Sequence, residues 1–150
     1  MWGLNDPSCP VDLDKLTASI KAHEGLRLSA YTDTTGHITI GYGRNISNVG
    51  ISQSEADYLL GNDIQSAIGT AETQDWWPHV KGSDARARAF IEILFNLGLG
   101  GLAYFRKALD AAMSDDWDTC SVELLDSLWA KQVGKRAEVL AAMVKTGEDA

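Results

Sequence analysis

Residues 23–44, HEGLRLSAYTDTTGHITIGYGR, constrain the fold more than any other stretch of this chain. Apolar residues alternate at Leu26, Leu28 and Ala30 and again at Ile38 and Ile40, the period of β-strands. The Asp33-Thr34-Thr35-Gly36 run between them is turn chemistry. Gly41 and Gly43 mark a bend or a close backbone approach in a third short strand. The flanks are helical. Asp12 suits an N-cap, Leu13, Leu16 and Ile20 recur at helical spacing, and Gly25 suits a helix end. Beyond the sheet, Ser52 and Glu55 form a Ser-x-x-Glu capping box.

The pattern predicts an α+β fold: an N-terminal helix over about 12–25, a small β-lobe over about 26–50, and a long connecting helix over about 52–72. That last helix carries Leu59, Leu60, Ile64 and Ile68 on one face. Residues 1–11, with Pro7 and Pro10, read as an irregular lead-in, and TQDWWPHVKG at 73–82 reads as a loop. A helical lobe is expected over about 83–147. Its first helix runs from Asp84 to Gly98. After the glycine-rich LGLGGLAYF, three short helical segments follow, around 105–113, 117–128 and 134–145. The 150 residues are expected to form one domain, with a cleft between the two lobes as the natural ligand site.

Composition narrows the function. Apolar residues make up 45% and charged residues 23%, the range of globular proteins, and the net charge of −8 repels a phosphate backbone or an anionic membrane. Neither a nucleic-acid partner nor stable membrane association is expected. No stretch is long and apolar enough to span a bilayer, and the N-terminus lacks the basic start of a secretory signal. Cys9 and Cys120 read as free thiols, with a single bridge between them left open by the sequence. Neither has a second Cys or a His at ligand spacing, so no metal site is expected.

Three polar side chains stand out in the sheet region. Cleaving a glycosidic bond needs a protonated acid at the leaving oxygen and a second carboxylate across from it, which in an inverting enzyme activates water. Glu24 at a helix end and Asp33 in a hairpin turn can converge, and Thr39 on the returning strand comes near Asp33. A structural reading fits the same residues: a Glu in a last helical turn is common, an Asp in a turn caps backbone N–H groups, and a Thr in a strand is ordinary. Spacing alone leaves both open.

The full motif is more specific. Glu24, Gly25, Arg27, Tyr31 and Asp33, followed by Thr39, Gly41 and Gly43, are in register with E-G-x-R-x-x-x-Y-x-D and T-x-G-x-G. That pattern resembles the bacteriophage T4-type lysozymes. FNLGLGGLAYF at 95–105 and KRAEVLAAMVKTG at 135–147 are similar to that family's C-terminal lobe. The resemblance implies a lysozyme-like fold and hydrolysis of the β-1,4 bond between N-acetylmuramic acid and N-acetylglucosamine in peptidoglycan, without metal or cofactor. It implies Glu24 as general acid, Asp33 as the carboxylate that activates water, and Thr39 as its hydroxyl partner. Arg136 matches the arginine that pairs with the catalytic Glu. That pairing favours the ionised carboxylate, whereas the negative end of the helix disfavours it, and the balance stays open.

The resemblance also implies substrate contacts at Gly41, Gly43 and Phe95, with Phe95 equally consistent with plain core. It implies a monomeric endolysin held in the host cytoplasm and released through a holin. Two departures are visible. Arg44 stands where the family often has a His, and Asp63 matches that residue's Asp partner, so an Arg44–Asp63 ion pair is expected. The acidic balance also departs from the basic charge of several phage lysozymes, so steering toward an anionic wall is weak. A lytic transglycosylase, or a wall-targeting domain of a toxin or tail assembly, is the alternative. Among the remaining candidates, His23 reads as surface or packing, Trp76, Trp77, Trp117 and Trp129 as core, and Asp115, Asp116 and Asp118 as a helix start.

Overall fold

A computed structural model describes Gly3 and residues 6–150. Part of the expected lead-in therefore lies outside the described residues. The chain divides into two units, Met1–Asp57 and Tyr58–Ala150. The fold is α+β: the described residues form one three-stranded antiparallel sheet and are predominantly helical.

In the first unit, Asp12 caps α1 (Leu13–Glu24): its carboxylate accepts from Lys15 N at 3.0 Å. Gly25 ends the helix at φ 72°, a conformation that costs a glycine little. Strands β1 (Arg27–Thr32), β2 (Ile38–Gly41) and β3 (Arg44–Asn45) follow in sheet order β1-β2-β3. Tyr31 pairs with Thr39 and Thr32 with Ile38, and the register is irregular between Arg27 and Tyr31. The apolar alternation marks the strands, but the buried residue of β2 is the hydroxyl-bearing Thr39, while Ile38 and Leu28 are exposed. The capping box then starts α2 (Gln53–Glu72). Glu55 N donates to Ser52 Oγ, and Ser52 N donates back to the Glu55 carboxylate.

The second unit is helical. The expected 73–82 loop contains one turn of helix, α3 (Trp77–Val80), in which Pro78 falls near the helix start, where its missing N–H costs nothing. Ser83 caps α4 (Asp84–Ala103) through Arg86 N. Gly98, expected to end that helix, instead breaks it at φ 71° and ψ 170°, and the helix resumes to bury Leu102. Four short helices complete the chain where three were expected: α5 (Arg106–Met113), α6 (Trp117–Leu125), α7 (Leu128–Val133) and α8 (Lys135–Thr146). The expected 117–128 segment ends early because Ser127 adopts extended backbone and caps a new helix through Ala130 N at 3.1 Å. Asp116 does start α6, accepting from Thr119 N at 3.1 Å.

Phe90, Ile93, Leu102, Leu124, Leu140 and Val144 are the fully buried centre of this unit. Each contributes about 1.5–3 kcal/mol by leaving water. Trp76 packs on Phe90 with ring centroids 5.1 Å apart, and Trp129 is buried with its indole N–H on Asn96 Oδ1 at 2.8 Å. Arg86 ties α4 to α8, donating to the carbonyls of Val144 at 2.8 Å and Lys145 at 3.2 Å. The Cys120 thiol is fully buried in this core, and desolvation pushes its pKa up to about 12. Among the described residues, no single helix is long and apolar enough to cross a membrane.

Candidate active site

Asp33 begins the turn between β1 and β2, and its two oxygens are treated differently. Oδ1 accepts from Thr35 N at 2.9 Å, Thr35 Oγ1 at 2.7 Å and His37 N at 2.9 Å. This is an Asx-turn extended by one more donor. The His37 backbone N–H and the Thr35 hydroxyl hold the Asp33 carboxyl below its ordinary pKa. Thr35 has one hydroxyl proton and gives it to Asp33, so His37 Nδ1, 2.7 Å from the same oxygen, is the donor of that second contact.

Oδ2 is left with weaker partners: the Thr39 hydroxyl at 3.4 Å and His37 Nδ1 at 3.9 Å. The structural and chemical readings of Asp33 therefore divide between its oxygens. Oδ1 builds the turn, and Oδ2 is presented beside the buried hydroxyl of Thr39. Thr39 Oγ1 also lies 3.4 Å from the His37 carbonyl, so its proton has two acceptors while its lone pairs remain free to accept.

Glu24 is the last residue of α1 and is exposed. Its carboxyl reaches the link between β2 and β3: a Cβ added at Gly43 would stand 3.0 Å from Glu24 Oε2. Gly43 and Gly41 have φ of 81° and 70°, which side chains with a Cβ rarely adopt. Glycine at 43 thus meets two demands, a left-handed backbone and room for the carboxyl. His23, next to Glu24, is exposed.

Arg44 forms an ion pair, but with a different partner from the one expected. Its Nη1 donates to Glu55 Oε2 and its Nη2 to Glu55 Oε1, both at 2.7 Å, and Nη1 also donates to the Gly50 carbonyl at 3.1 Å. The expected Arg44–Asp63 pair is corrected to Arg44–Glu55. Glu55 is held at the first turn of α2 by its capping box, whereas Asp63 lies about two helical turns further along. Two donors, the Arg44 side chain and then Ser52 N, bring the pKa of Glu55 down to about 2.

In the second unit, Phe95 is 45% exposed, so it is not plain core. It lines a groove of about 470 Å³ with Leu60, Ile64, Ile91, Glu92 and Arg136. Arg136, one residue into α8, donates from Nε to Glu92 Oε1 at 3.0 Å. Asp63, exposed on α2, lines a shallower depression with Ser66, Thr70 and Phe95.

Thr35, His37, Glu55 and Glu92 join the site residues expected from the sequence. The Asp-Thr-Thr-Gly turn carried the signal for Thr35, because an Asx-turn bonds the N–H two residues on. The capping box carried the signal for Glu55. Nothing in the sequence alone points to Glu92 as the partner of Arg136.

The pattern of the phage lysozyme family matches residues 21–146. The Probable T4-type lysozyme 2 of Dictyostelium discoideum is 25% identical, over 90% of this chain and 96% of its own length. An Endolysin of Acyrthosiphon pisum secondary endosymbiont phage 1 is 33% identical, over 78% of this chain and 80% of its own. The Pre-baseplate central spike protein Gp5 of Enterobacteria phage T4 is 29% identical over 85% of this chain, which spans only 27% of that protein. The match runs from the end of α1 through the sheet and into α8, and it takes in Glu24, Asp33, Thr39 and Arg136; the chain belongs to the phage lysozyme family.

Proposed function

We propose that this protein is an N-acetylmuramidase that hydrolyses the β-1,4 bond between N-acetylmuramic acid and N-acetylglucosamine in peptidoglycan. The observation that carries this reading is the pairing of Asp33 Oδ2 with the Thr39 hydroxyl, one carboxylate oxygen left open beside a buried hydroxyl. A water held between them is activated by the ionised Asp33 and oriented by Thr39 for attack on the anomeric carbon. Glu24 is the general acid that protonates the leaving glycosidic oxygen. Water enters and the C–O bond breaks with inversion, the carboxyl groups standing roughly 6.5–9.5 Å apart to admit it. Gly41, Gly43 and Phe95 are the proposed sugar contacts. Arg136 is the proposed cation for the ionised form of Glu24, and its bond to Glu92 supplies the alternative partner. No metal or cofactor has a role in this scheme.

The 150 residues are proposed to act as one monomeric domain. An endolysin role supports storage in the host cytoplasm and holin-dependent release to the wall, in line with the phage relative named Endolysin. The spike-protein relative supports a second context, a lysozyme domain working within a tail assembly. Mass spectrometry of peptidoglycan digests tests the reaction: reducing-end muropeptides, first formed with inverted configuration, are expected. Products that are all 1,6-anhydro species, one water lighter, would establish a lytic transglycosylase instead.

A further inference from the structure

Arg44 and Glu55 do more than neutralise each other. The Glu55 carboxylate is gripped from two directions: Ser52 N donates to Oε2 at 3.0 Å, and both terminal nitrogens of Arg44 close on it at 2.7 Å. Fork-to-fork pairing fixes direction as well as distance. Arg44 belongs to β3, where it pairs with Ile40 of β2, and its neighbour Asn45 pairs with Thr39. On its other side is Gly43, whose backbone borders the Glu24 carboxyl. The link Gly41-Tyr42-Gly43 has a positive φ at both glycines, a backbone path that few other residues adopt. Arg44 is the first side chain after that link with a rigid anchor.

We propose that the Arg44–Glu55 pair is a positioning pair for the candidate catalytic residues: by pinning β3 to the start of α2 it fixes the Gly43 backbone beside Glu24 and the Thr39 hydroxyl beside Asp33. The inference rests on the muramidase reading above and adds Glu55 to the residues on which the chemistry depends. Neither Arg44 nor Glu55 needs to touch substrate. They act through the strand between them and the reacting groups, and a displacement of about 1 Å there can cost on the order of 100-fold in rate.

The alternative is that Glu55 merely caps α2, and Ser52→Ala separates the two, because it removes the capping hydroxyl and leaves the Arg44–Glu55 fork intact. The experiment measures kcat and KM on soluble peptidoglycan oligomers, with a thermal melt of each variant. Glu55→Gln and Arg44→Lys, each still folded at the assay temperature, are expected to lose about tenfold or more in kcat with KM little changed. The double variant is expected to lose no more than the worse single. Ser52→Ala is expected to melt lower and keep its kcat. If one variant does not fold, the other carries the comparison with Ser52→Ala.

Parental kcat in folded Glu55→Gln or Arg44→Lys overturns the inference, as does a Ser52→Ala loss of kcat that matches theirs at equal loss of stability. Glu24→Gln is assayed alongside. If it is inactive while Glu55→Gln is unimpaired, only the positioning role fails. If Glu24→Gln is active, the muramidase reading fails and takes the positioning role with it.

Discussion

Thr39 Oγ1 stands 3.4 Å from Asp33 Oδ2, the oxygen of that carboxylate which the turn leaves open. Three donors saturate the other oxygen, so the carboxylate is oriented before any substrate arrives. The proposed water needs both the open oxygen and the hydroxyl. Thr39→Val keeps the buried shape and removes the hydroxyl. It is expected to fold and to lose about tenfold or more in kcat, as the loss of one orienting group does. Thr39→Ser, which keeps the hydroxyl, is expected to retain more activity than Thr39→Val. Equal kcat for the Val and Ser variants would show that the hydroxyl does not hold the water.

The Arg44–Glu55 pair has a signature in acid. The folded-state pKa of Glu55 is lowered from 4.5 to about 2, so the group contributes stability that is present above 4.5 and is lost as pH falls toward 2. The two side chains are 40% and 39% exposed, which keeps the contribution modest and sensitive to salt. Glu55→Gln is therefore expected to lower the melting temperature near neutrality and to lose less on acidification through that window than the parent. Because Asp33 is also held below its ordinary value, some acid sensitivity remains in the variant. Parallel melting curves for parent and Glu55→Gln from pH 5 to pH 2 would show that this pair is not linked to folding.

Cys120 offers a probe of the helical unit. Its thiol is fully buried, and burial raises its pKa to about 12, so almost no thiolate exists at neutral pH. A disulfide-exchange reagent is expected to label Cys9, which is only partly buried, quickly in the native protein, and to reach Cys120 only on unfolding. Two thiols titrating at the same rate in the native state would contradict the buried core.

Much of the local architecture was written in short-range chemistry. Asp12, Gly25 and the Ser52–Glu55 box mark helix ends because each satisfies backbone groups within a few residues. The Asp33 turn is local in the same sense. The misplaced features have identifiable causes. Ser127 is an available cap, but Leu124, Leu125 and Leu128 continue an apolar rhythm across it, so the expected segment runs on to 128 and the short α7 beyond the cap goes unseen. Glycine suits a helix end, which makes Gly98 a natural stop in the sequence, yet the buried Leu102 carries the helix on beyond the break.

The Arg44 partner differs from the expected one for another reason. The family pattern, in which His takes that place, points to Asp63, while the local capping box places the Glu55 carboxylate within reach of Arg44. The ion pair of Arg136 with Glu92 joins different helices, and no spacing rule announces such a contact.

Glu24 carries the central claim. Glu24→Gln keeps nearly the same shape beside Gly43 and removes the transferable proton. A carboxylate at a helix C-terminus does not serve the helix, so the variant is expected to melt at the parental temperature or slightly above it. Lysis of outer-membrane-permeabilised Gram-negative cells, measured beside that melt, is the decisive comparison. Activity lower by at least about 10²–10⁴-fold, with the fold intact, is the result expected of a lost general acid. Near-parental lysis by a folded Glu24→Gln would make Glu24 a structural residue at a helix end, and the catalytic assignment of Asp33 and Thr39 would fall with it.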